Sequence, residues 1–306
     1  MTLSTNGLAA FRAIMLRNAG IQVGADKAYL LTTRLTPLMR REGCRTLDDL
    51  VRRAAEPLRT MVLEREIVEA MLNHESYFFR DQAAFAELGG PILAQRRSAR
   101  AAKKSLRIWS AACSTGQEAY SVAMLLDEAR ETWSDWTVEI LATDLSHGAV
   151  RRAERGHYSQ FEVQRGLSVK RLLRYFEKDG EDWRLTDRIR SAVRFHTQNL
   201  CAPPPPGEFD VILARNVLMY MAPASKRAAL EGLHRALAPD GFLILGASET
   251  ILDHDDLFVA DRRGQSRYIP VPRRTSAATR AMSSPDSRRT AGHHLREPLR
   301  ARAAGR

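Results

Sequence analysis

The sequence predicts an α/β fold in which a mostly parallel sheet carries a small antiparallel β insertion and is preceded by a small all-helical domain. Three observations predict it. Apolar residues recur at helical spacing through the first 72 residues, short apolar strands alternate with helices from residue 106, and a charged hairpin interrupts that alternation. A chain of 306 residues with 44% hydrophobic content is long enough to bury one large and one small core.

Residues 1–72 form the predicted helical domain. Its apolar residues lie three and four apart in LAAFRAIML, in AYLLTTRLTPLMR and through the run 47–71. Three basic residues of the second helix, Arg34, Arg40 and Arg41, fall near one another. Periodicity alone favours an ordinary solvated face for them.

Residues 73–105 are predicted to be a linker carrying the segment HESYFFRD, and the sheet domain follows at 106–270. Its predicted strands are Leu106–Ala112, Thr137–Ala142, Phe209–Ala214 and Phe242–Leu245, and its predicted helices are Gln117–Ala129, Ser146–Arg155 and Pro223–Leu237, the last ended by a turn at Pro239-Asp240-Gly241. An insertion at about 159–198 contains a hairpin around the charged loop 177–182. Ligands of such sheets bind at the carboxyl ends of the strands.

The net charge of +11 is concentrated at the C-terminus. Residues 272–306 hold nine arginines against two acidic residues, a net charge of +7, so the rest of the chain carries only +4. We therefore expect no nucleic-acid partner. The segment 271–306 has few large apolar residues and is predicted to be a disordered basic tail, with an anion-binding arm as the less favoured alternative.

Cysteine usage and hydropathy indicate the compartment. Cys44, Cys113 and Cys201 are widely spaced, without a CxxC or Cys/His pattern, so we expect neither a metal site nor a disulfide framework. No stretch approaches the roughly 18 consecutive apolar residues of a membrane span, and the first 20 residues lack a signal-peptide pattern. These features predict a cytoplasmic protein, which we expect to be a monomer.

Polar residues stand at the ends of three predicted strands. The turn 113–118 contains a single glycine and matches neither GxxxxGK[ST] nor GxGxxG, which disfavours a diphosphate ligand. Its Glu118 can face an ammonium group or interact with the helix dipole. Asp144 can accept both hydroxyls of a ribose or cap the next helix. Arg215 and Asn216 follow the third strand, where unpaired buried polar groups are costly, so a ligand or a network is implied.

The sequence contains no GxSxG turn, HExxH helix or suitable Cys/His pair. Methyl transfer from a sulfonium to a carboxylate needs none of them, because the acceptor is already ionised at neutral pH. Alignment of the reactants and removal of the carboxylate's hydration can supply about 7 to 11 kcal/mol. A positioned arginine and a hydroxyl suffice, and S-adenosylmethionine, which has no phosphate, suits the turn.

Six segments together resemble the chemotaxis receptor glutamate methyltransferase family, often called CheR. They lie in order between about residues 8 and 269 and read HESYFFRD (74–81), SAACSTGQEAYSVAMLL (110–126), ATDLSHGAVRRAERGHY (142–158), FHTQNL (195–200), FDVILARNVLMYM (209–221) and LAPDGFLILGASET (237–250). The resemblance implies a Rossmann-like methyltransferase that uses S-adenosyl-L-methionine, releases S-adenosyl-L-homocysteine, and esterifies glutamates on the cytoplasmic domain of chemotaxis receptors.

The resemblance also implies roles for individual residues. The cofactor-binding residues would be His74, Ser76, Arg80, Glu118, Asp144, Asn199, Leu200, Arg215 and Asn216. Arg80 and Tyr220 are the catalytic candidates: the arginine can hold the acceptor carboxylate through a fork of donors, and the tyrosine can bring a hydroxyl to the reacting centre. Family members usually carry asparagine where this chain has His74, whose neutral imidazole can still form hydrogen bonds. At least two of Tyr77, Phe78 and Phe79 are expected to serve packing.

Receptor recognition follows from the same resemblance. Arg34, Arg40 and Arg41 are predicted to face the acidic residues of receptor methylation helices. In some family members the antiparallel insertion docks on a peptide at the receptor's C-terminus by adding a strand to a sheet edge. The acidic loop 177–182 of this chain would repel the carboxylate of such a peptide, so we expect no dependence on a C-terminal pentapeptide.

Two other functions stay open from the sequence. A methyltransferase of this fold can act on another protein, a small molecule or nucleic acid, although the strand end ARNV departs from the DPPY-like and NPPY-like motifs of nucleic-acid amino-methylating enzymes. A non-catalytic cofactor-binding regulator would predict damage at Arg80 or Tyr220, and both residues are present.

Overall fold

The computed structural model describes residues 3–24, 28–56, 60–264 and 266–273. The predicted disordered tail therefore lies, from residue 274 onward, outside the described residues. Within those ranges no helix has both the length and the apolar character needed to cross a membrane. The same ranges hold no group of three or more His, Cys, Asp or Glu side chains arranged to bind a metal ion.

Four helices in the described N-terminal residues pack around a core of their own, which confirms the predicted helical domain. They are α1 (Thr5–Ala19), α2 (Ala28–Arg41), α3 (Leu47–Ala54) and α4 (Thr60–Met71). Ser4 caps α1 by accepting from the Gly7 amide, and Gly20 ends that helix in the left-handed conformation at a φ of 68°. Thr46 and Asp49 form a capping box at the start of α3. Fully buried members of this core are Phe11, Leu35, Leu50 and Ile67.

The predicted linker is largely helical and packs into the second domain. It contains α5 (Gln82–Glu87), a π-helical turn (Leu88–Ile92) and α6 (Leu93–Ala99). Phe85 and Leu88 are buried in the core of the sheet domain. The segment is therefore part of that domain's packing, and it holds the preceding HESYFFRD residues against the sheet.

The sheet domain contains two sheets, and across both the described residues form ten strands. The strands are β1 (Ser105–Ala111), β2 (Thr137–Asp144), β3 (His157–Tyr158), β4 (Phe176–Asp179), β5 (Asp182–Leu185), β6 (Val193–Thr197), β7 (Phe209–Leu213), β8 (Leu237–Ile244), β9 (Phe258–Ala260) and β10 (Arg267–Pro270). The larger sheet has the order β6-β2-β1-β7-β8-β10-β9, in which the first five strands are parallel and the last two antiparallel. This confirms the predicted mostly parallel sheet.

Helices cover both faces of the larger sheet and border the smaller one. They are α7 (Gln117–Glu128), α8 (His147–Arg155), α9 (Gln160–Gln164), α10 (Val169–Tyr175), α11 (Asp187–Arg190) and α12 (Pro223–Ala236). Because side chains alternate along a strand, β1 supplies both cores: Ile108 lies in one and Trp109 in the other.

The last parallel strand begins earlier than predicted. The sequence suggested a turn at Pro239-Asp240-Gly241, but β8 already pairs with β7 at Leu237 and again at Phe242, so the intervening residues form a bulge. Asp240 in that bulge forms ion pairs with Arg96 and Arg100. These contacts with α6 and its C-terminal cap stabilise the bulge within the strand, whereas the local sequence pattern predicts only a turn.

The antiparallel insertion is present, with bounds that differ from the predicted 159–198. Its sheet has the order β3-β5-β4, so the insertion begins with β3 at residue 157. At the other end, β6 pairs with β2 from Val193 onward and belongs to the large sheet. The two-residue β3 is too short to produce a sequence pattern, and β6 has exposed polar residues typical of an edge strand.

Candidate active site

A cavity of about 370 Å³ lies where β1, β2 and β7 end and where the helical domain meets the sheet domain. Its volume is in the range of small-molecule sites. The cavity brings together all nine predicted cofactor residues and both catalytic candidates, which are His74, Ser76, Arg80, Glu118, Asp144, Asn199, Leu200, Arg215, Asn216 and Tyr220. The parallel topology thus brings together residues that lie more than 140 positions apart in the sequence.

The turn after β1 places backbone atoms against this cavity. Ala112, Ser114 and Gly116 all have positive φ angles, of 68°, 52° and 95°. Non-glycine residues adopt this conformation at a cost, and such residues cluster at functional sites. At Gly116 a Cβ would lie 2.8 Å from the Cβ of Ala153, so the position requires glycine. Ala112 and Ser114 of this turn line the cavity, while Gly116 packs it against α8.

Asp144 ends β2 with its carboxylate almost fully buried, 9% exposed. One oxygen accepts from the Ser146 amide at 2.9 Å and the other from the Ser114 amide at 2.8 Å. The cap of α8 is Ser146, whose hydroxyl accepts from the Ala149 amide. Burial raises the pKa of the Asp144 carboxyl, and the two amides and the nearby His74 oppose that rise. The capping role is thus taken by Ser146, which leaves Asp144 to organise the cavity.

Arg215 lies at the centre of a buried ion-pair network beside the cavity. Its side chain is 2% exposed. Nη2 donates to the Arg80 carbonyl at 2.7 Å and to Asp81 Oδ2 at 2.6 Å, and Nη1 donates to Glu118 Oε2 at 3.1 Å. The other Glu118 oxygen accepts from Ser110 Oγ at 2.7 Å. The network implied by the buried position of Arg215 is therefore present, and it also holds Glu118 at the cavity wall.

The aromatic residues of HESYFFRD divide between packing and lining. Phe78 and Phe79 are buried, and the Phe79 amide donates to Ser121 Oγ at 2.9 Å. Phe78 packs edge-on against Tyr158 at a ring distance of 5.0 Å. Tyr77 lines the cavity. The expectation that at least two of the three aromatics serve packing is confirmed.

Arg80 extends from this motif into the cavity. Its guanidinium lies 5.5 Å from the centre of the Tyr77 ring, and Nη1 donates to the Glu75 carbonyl at 3.3 Å. Phe79 and Asp81, on either side of Arg80, have positive φ angles of 51° and 59°. The backbone at Arg80 is therefore set by two unfavourable conformations, which the surrounding packing maintains.

A buried carboxylate that sequence reasoning missed, Glu249, organises the loop after β7. It is 8% exposed. Oε2 accepts from the amides of Asn216 at 2.5 Å and Gly246 at 3.0 Å, and Oε1 accepts from Val217 and Leu218 at 2.9 Å each. Unlike Asp144, Glu249 is separated by four residues from the end of its strand, β8, so the strand-end pattern did not identify it.

Glu249 thereby determines the position of two predicted site residues. Asn216 adopts a positive φ of 59°, and the 3-10 turn Leu218–Tyr220 follows it. Tyr220 lies at the end of this turn and lines the cavity. The catalytic candidate Tyr220 is thus carried by the loop after β7, and several backbone amides of that loop donate to the Glu249 carboxylate.

The remaining predicted cofactor residues line the cavity through loops. The His74 carbonyl accepts from Ser114 Oγ at 2.9 Å. Asn199 accepts from the Cys201 amide at 2.9 Å and donates to the Asn18 carbonyl of α1 at 2.9 Å. Leu200 packs beside the apolar core of the sheet domain. The side-chain amide of Asn199 therefore ties this loop to the helical domain.

The helical domain forms one wall of the cavity, which sequence reasoning did not predict. The Gln22 amide donates to the Tyr220 carbonyl at 3.0 Å, and the Ala222 amide donates to the Gly20 carbonyl at 2.8 Å. Ile21 and Met221 form an antiparallel bridge between these bonds. Residues of the helical domain that line the cavity are Met15, Ala19, Ile21, Gln22, Val23, Leu30, Arg34, Met71 and Leu72.

The three predicted receptor-binding arginines occupy different environments. Arg34 lines the cavity, and its Nη1 donates to the carbonyls of Met71 at 2.6 Å and Leu72 at 3.0 Å, at the end of α4. Arg41 pairs with Glu66 at 2.5 Å, and Arg40 is exposed. Arg34 thus has a structural contact, while Arg40 and Arg41 lie at the surface.

Comparison with known proteins finds matches to both the helical domain and the sheet domain. The model of the CheR methyltransferase SAM binding domain matches residues 74–263, and that of the CheR methyltransferase all-alpha domain matches residues 6–71. Chemotaxis protein methyltransferase 1 of Pseudomonas aeruginosa is 40% identical over 249 residues, covering 79% of this chain and 89% of the relative. The chemotaxis protein methyltransferase of Vibrio parahaemolyticus is 34% identical over 262 residues, covering 84% and 94%.

Proposed function

The chain belongs to the CheR methyltransferase family, and on that basis we propose that it transfers the methyl group of S-adenosylmethionine to glutamate side chains on the cytoplasmic domain of chemotaxis receptors. The observation that carries this proposal is the placement of the Arg80 guanidinium and Tyr220 in the same cavity as Asp144 and Glu118. A cation beside a cofactor pocket suits an anionic acceptor such as a carboxylate.

The cavity fits S-adenosylmethionine. Asp144 can accept the two ribose hydroxyls, because each carboxylate oxygen has a lone pair beyond the amide bond it already accepts. Glu118 can accept from the ammonium group of the amino-acid end. Leu200 and Ile21 provide apolar surface suited to the adenine ring. When bound, S-adenosylmethionine supplies a methyl group activated by a cationic sulfonium.

The residues of this chain align and desolvate the acceptor. Arg80 binds the glutamate carboxylate through two parallel donors, and the Tyr220 hydroxyl donates a further hydrogen bond that fixes its orientation. The acceptor is ionised at neutral pH, so no side chain has to remove a proton. A carboxylate oxygen forms the bond to the methyl carbon as the bond from sulfur to that carbon breaks, which yields a neutral ester and a neutral thioether.

The reaction is tested by tritiated-methyl transfer to a purified receptor signalling domain. A glutamate methyl ester releases volatile methanol in mild base, whereas a methylated amine or nucleic acid retains the label. We expect base-labile counts on the receptor. Base-stable label, or transfer to added nucleic acid in preference to the receptor, would contradict the proposed substrate.

Replacing Asp144 with alanine is expected to weaken S-adenosylmethionine binding by about 1 to 3 kcal/mol, the scale of hydrogen bonds to a charged acceptor. Calorimetric titration measures the change, and thermal melting of the same variant reports any loss of the Ser114 and Ser146 contacts. Asp135→Ala is the matched control, because Asp135 is an exposed residue paired with Lys104. Unchanged affinity in Asp144→Ala would limit this residue to holding the loop.

A basic groove next to the cavity supports receptor recognition by the helical domain. The groove lies between α2, α4 and α8, and its lining includes four arginines and two acidic residues: Arg34, Arg41, Arg65, Arg151, Glu66 and Glu69. Arg34 lines both this groove and the cavity. Cationic residues leading to the site suit the acidic helices that carry receptor methylation sites.

The insertion, in contrast, presents acidic residues at its free end. Strand β4 forms an edge of the small sheet, and the hairpin that follows it carries Asp179, Glu181 and Asp182. Of these, Asp179 lies 3.6 Å from His157 on β3. The carboxylate of a peptide that adds to this edge would meet like charge.

We therefore expect receptor C-terminal pentapeptides from the same genome not to bind, and an Arg40→Glu, Arg41→Glu variant to lose receptor methylation. Fluorescence titration measures peptide binding, and the methyl-transfer assay measures the second effect. Unchanged S-adenosylmethionine affinity in the variant serves as an internal control, and Arg97→Glu, at an exposed position of α6, is the control for charge. Micromolar peptide binding would contradict the expectation that the enzyme does not depend on a receptor C-terminal pentapeptide.

A further inference from the structure

Asp81 occupies the first position before a helix, yet its side chain does not cap it. It stands at the N-cap of α5 with φ 59° and ψ 74°, without a side-chain cap hydrogen bond. Aspartate at this position normally accepts from the helix's free amides. Its carboxylate instead accepts from Arg215 Nη2 at 2.6 Å. Asp81 thus forms a contact with a residue 134 positions away in the sequence in place of the usual N-cap hydrogen bond within its own helix.

The same Arg215 nitrogen also holds the neighbouring residue of the motif. Nη2 donates to the Arg80 carbonyl at 2.7 Å, so one guanidinium nitrogen binds both the backbone of Arg80 and the side chain of Asp81. The Arg215 side chain is almost fully buried, and Nη1 is fixed by Glu118 at 3.1 Å. Through Arg215 and Glu118, the Arg80 backbone is thus held in a fixed position relative to the end of β7 and the start of α7.

The backbone around Arg80 needs such a constraint. Phe79 and Asp81 both adopt left-handed conformations, and residues other than glycine keep them only where their surroundings determine them strongly. On the N-terminal side the constraint is the buried Phe79 ring and its amide bond to Ser121. On the C-terminal side it is the contact between Asp81 and Arg215.

We infer that Asp81 is a positioning residue for methyl transfer, which together with Arg215 holds the backbone of Arg80 so that its guanidinium binds the acceptor carboxylate. This inference rests on the proposed function, because it assigns Arg80 to the acceptor. Asp81 itself does not line the cavity. Its effect on the reaction therefore passes through Arg215 and the Arg80 backbone that Arg215 holds.

The test is a double-mutant cycle with Asp81→Asn and Arg80→Ala. We expect Asp81→Asn to lower kcat about 10- to 100-fold, the cost of misplacing a reacting group, with S-adenosylmethionine Kd within about threefold. In the Arg80→Ala background, Asp81→Asn should change kcat by less than about twofold, because the residue it positions is gone. Independent, multiplicative losses in the double variant would overturn the inference.

Three comparisons separate positioning from loss of fold and from failure of the proposed function. Asp81→Glu keeps the charge and should recover part of kcat, while Asp256→Asn, which breaks an exposed pair with Arg227, should leave kcat unchanged. Phenylglyoxal labelling followed by peptide mass spectrometry measures how fast each arginine reacts, and it does not require the methyl-accepting receptor. Faster labelling of Arg80 and Arg215 in Asp81→Asn supports the positioning role of Asp81 even if the receptor is not methylated. Unchanged labelling contradicts that role.

Discussion

Replacing Arg80 with alanine is expected to lower kcat for receptor methylation about 100- to 1,000-fold, the loss typical of removing one preorganised donor at a reacting centre. Affinity for S-adenosylmethionine should change much less. The proposed role of the guanidinium is to hold an acceptor carboxylate, which is absent from the complex with S-adenosylmethionine alone. Arg80→Lys should recover only part of the rate, because an ammonium cannot form two parallel bonds.

Steady-state kinetics with the receptor domain and calorimetry with S-adenosylmethionine separate these effects. Arg165→Ala is a matched control, because the Arg165 guanidinium lies 4.2 Å from the centre of the same Tyr77 ring and does not line the cavity. Equal losses of turnover and of S-adenosylmethionine affinity in Arg80→Ala would recast Arg80 as a cofactor residue.

Replacing Glu249 with alanine is expected to lower the free energy of unfolding by about 3 kcal/mol, because several buried amides lose their acceptor together. Turnover should fall as well, since the released loop carries Asn216 and Tyr220. Urea denaturation measures the stability, and the methyl-transfer assay measures the turnover.

The control for this prediction is Glu231→Ala. Glu231 is a partly exposed helical residue paired with Arg227 four positions earlier, a type of contact worth under about 1 kcal/mol. If Glu249→Ala and Glu231→Ala destabilise the protein equally, the convergence of amides on Glu249 does not organise the loop.

The sequence identified the site residues that stand at strand ends. Asp144 and Arg215 each follow an apolar strand directly, and parallel strands end at one edge of a sheet, so their proximity follows from topology. The packing of Phe78 and Phe79 could also be predicted from the sequence, because large apolar side chains in a folded chain are usually buried.

Other features depended on contacts that local patterns do not encode. The bulge in β8 depends on the contacts of Asp240 with Arg96 of α6 and with Arg100 just after that helix, more than 130 residues earlier. The cavity wall from the helical domain depends on backbone bonds between residues 20–22 and 220–222, which leave no side-chain signature. Such contacts are fixed by tertiary packing, and residue types alone do not specify them.

The backbone bridge between the two domains limits how receptor preference can be exchanged among relatives. Ile21 pairs with Met221 beside a catalytic candidate and also lines the cavity. A hybrid enzyme joined near residue 72 would import a foreign cavity wall together with the docking surface proposed above. Retargeting by chimera therefore has to transplant the exposed faces of α2 and α4 alone and leave the native segment 15–23 in place.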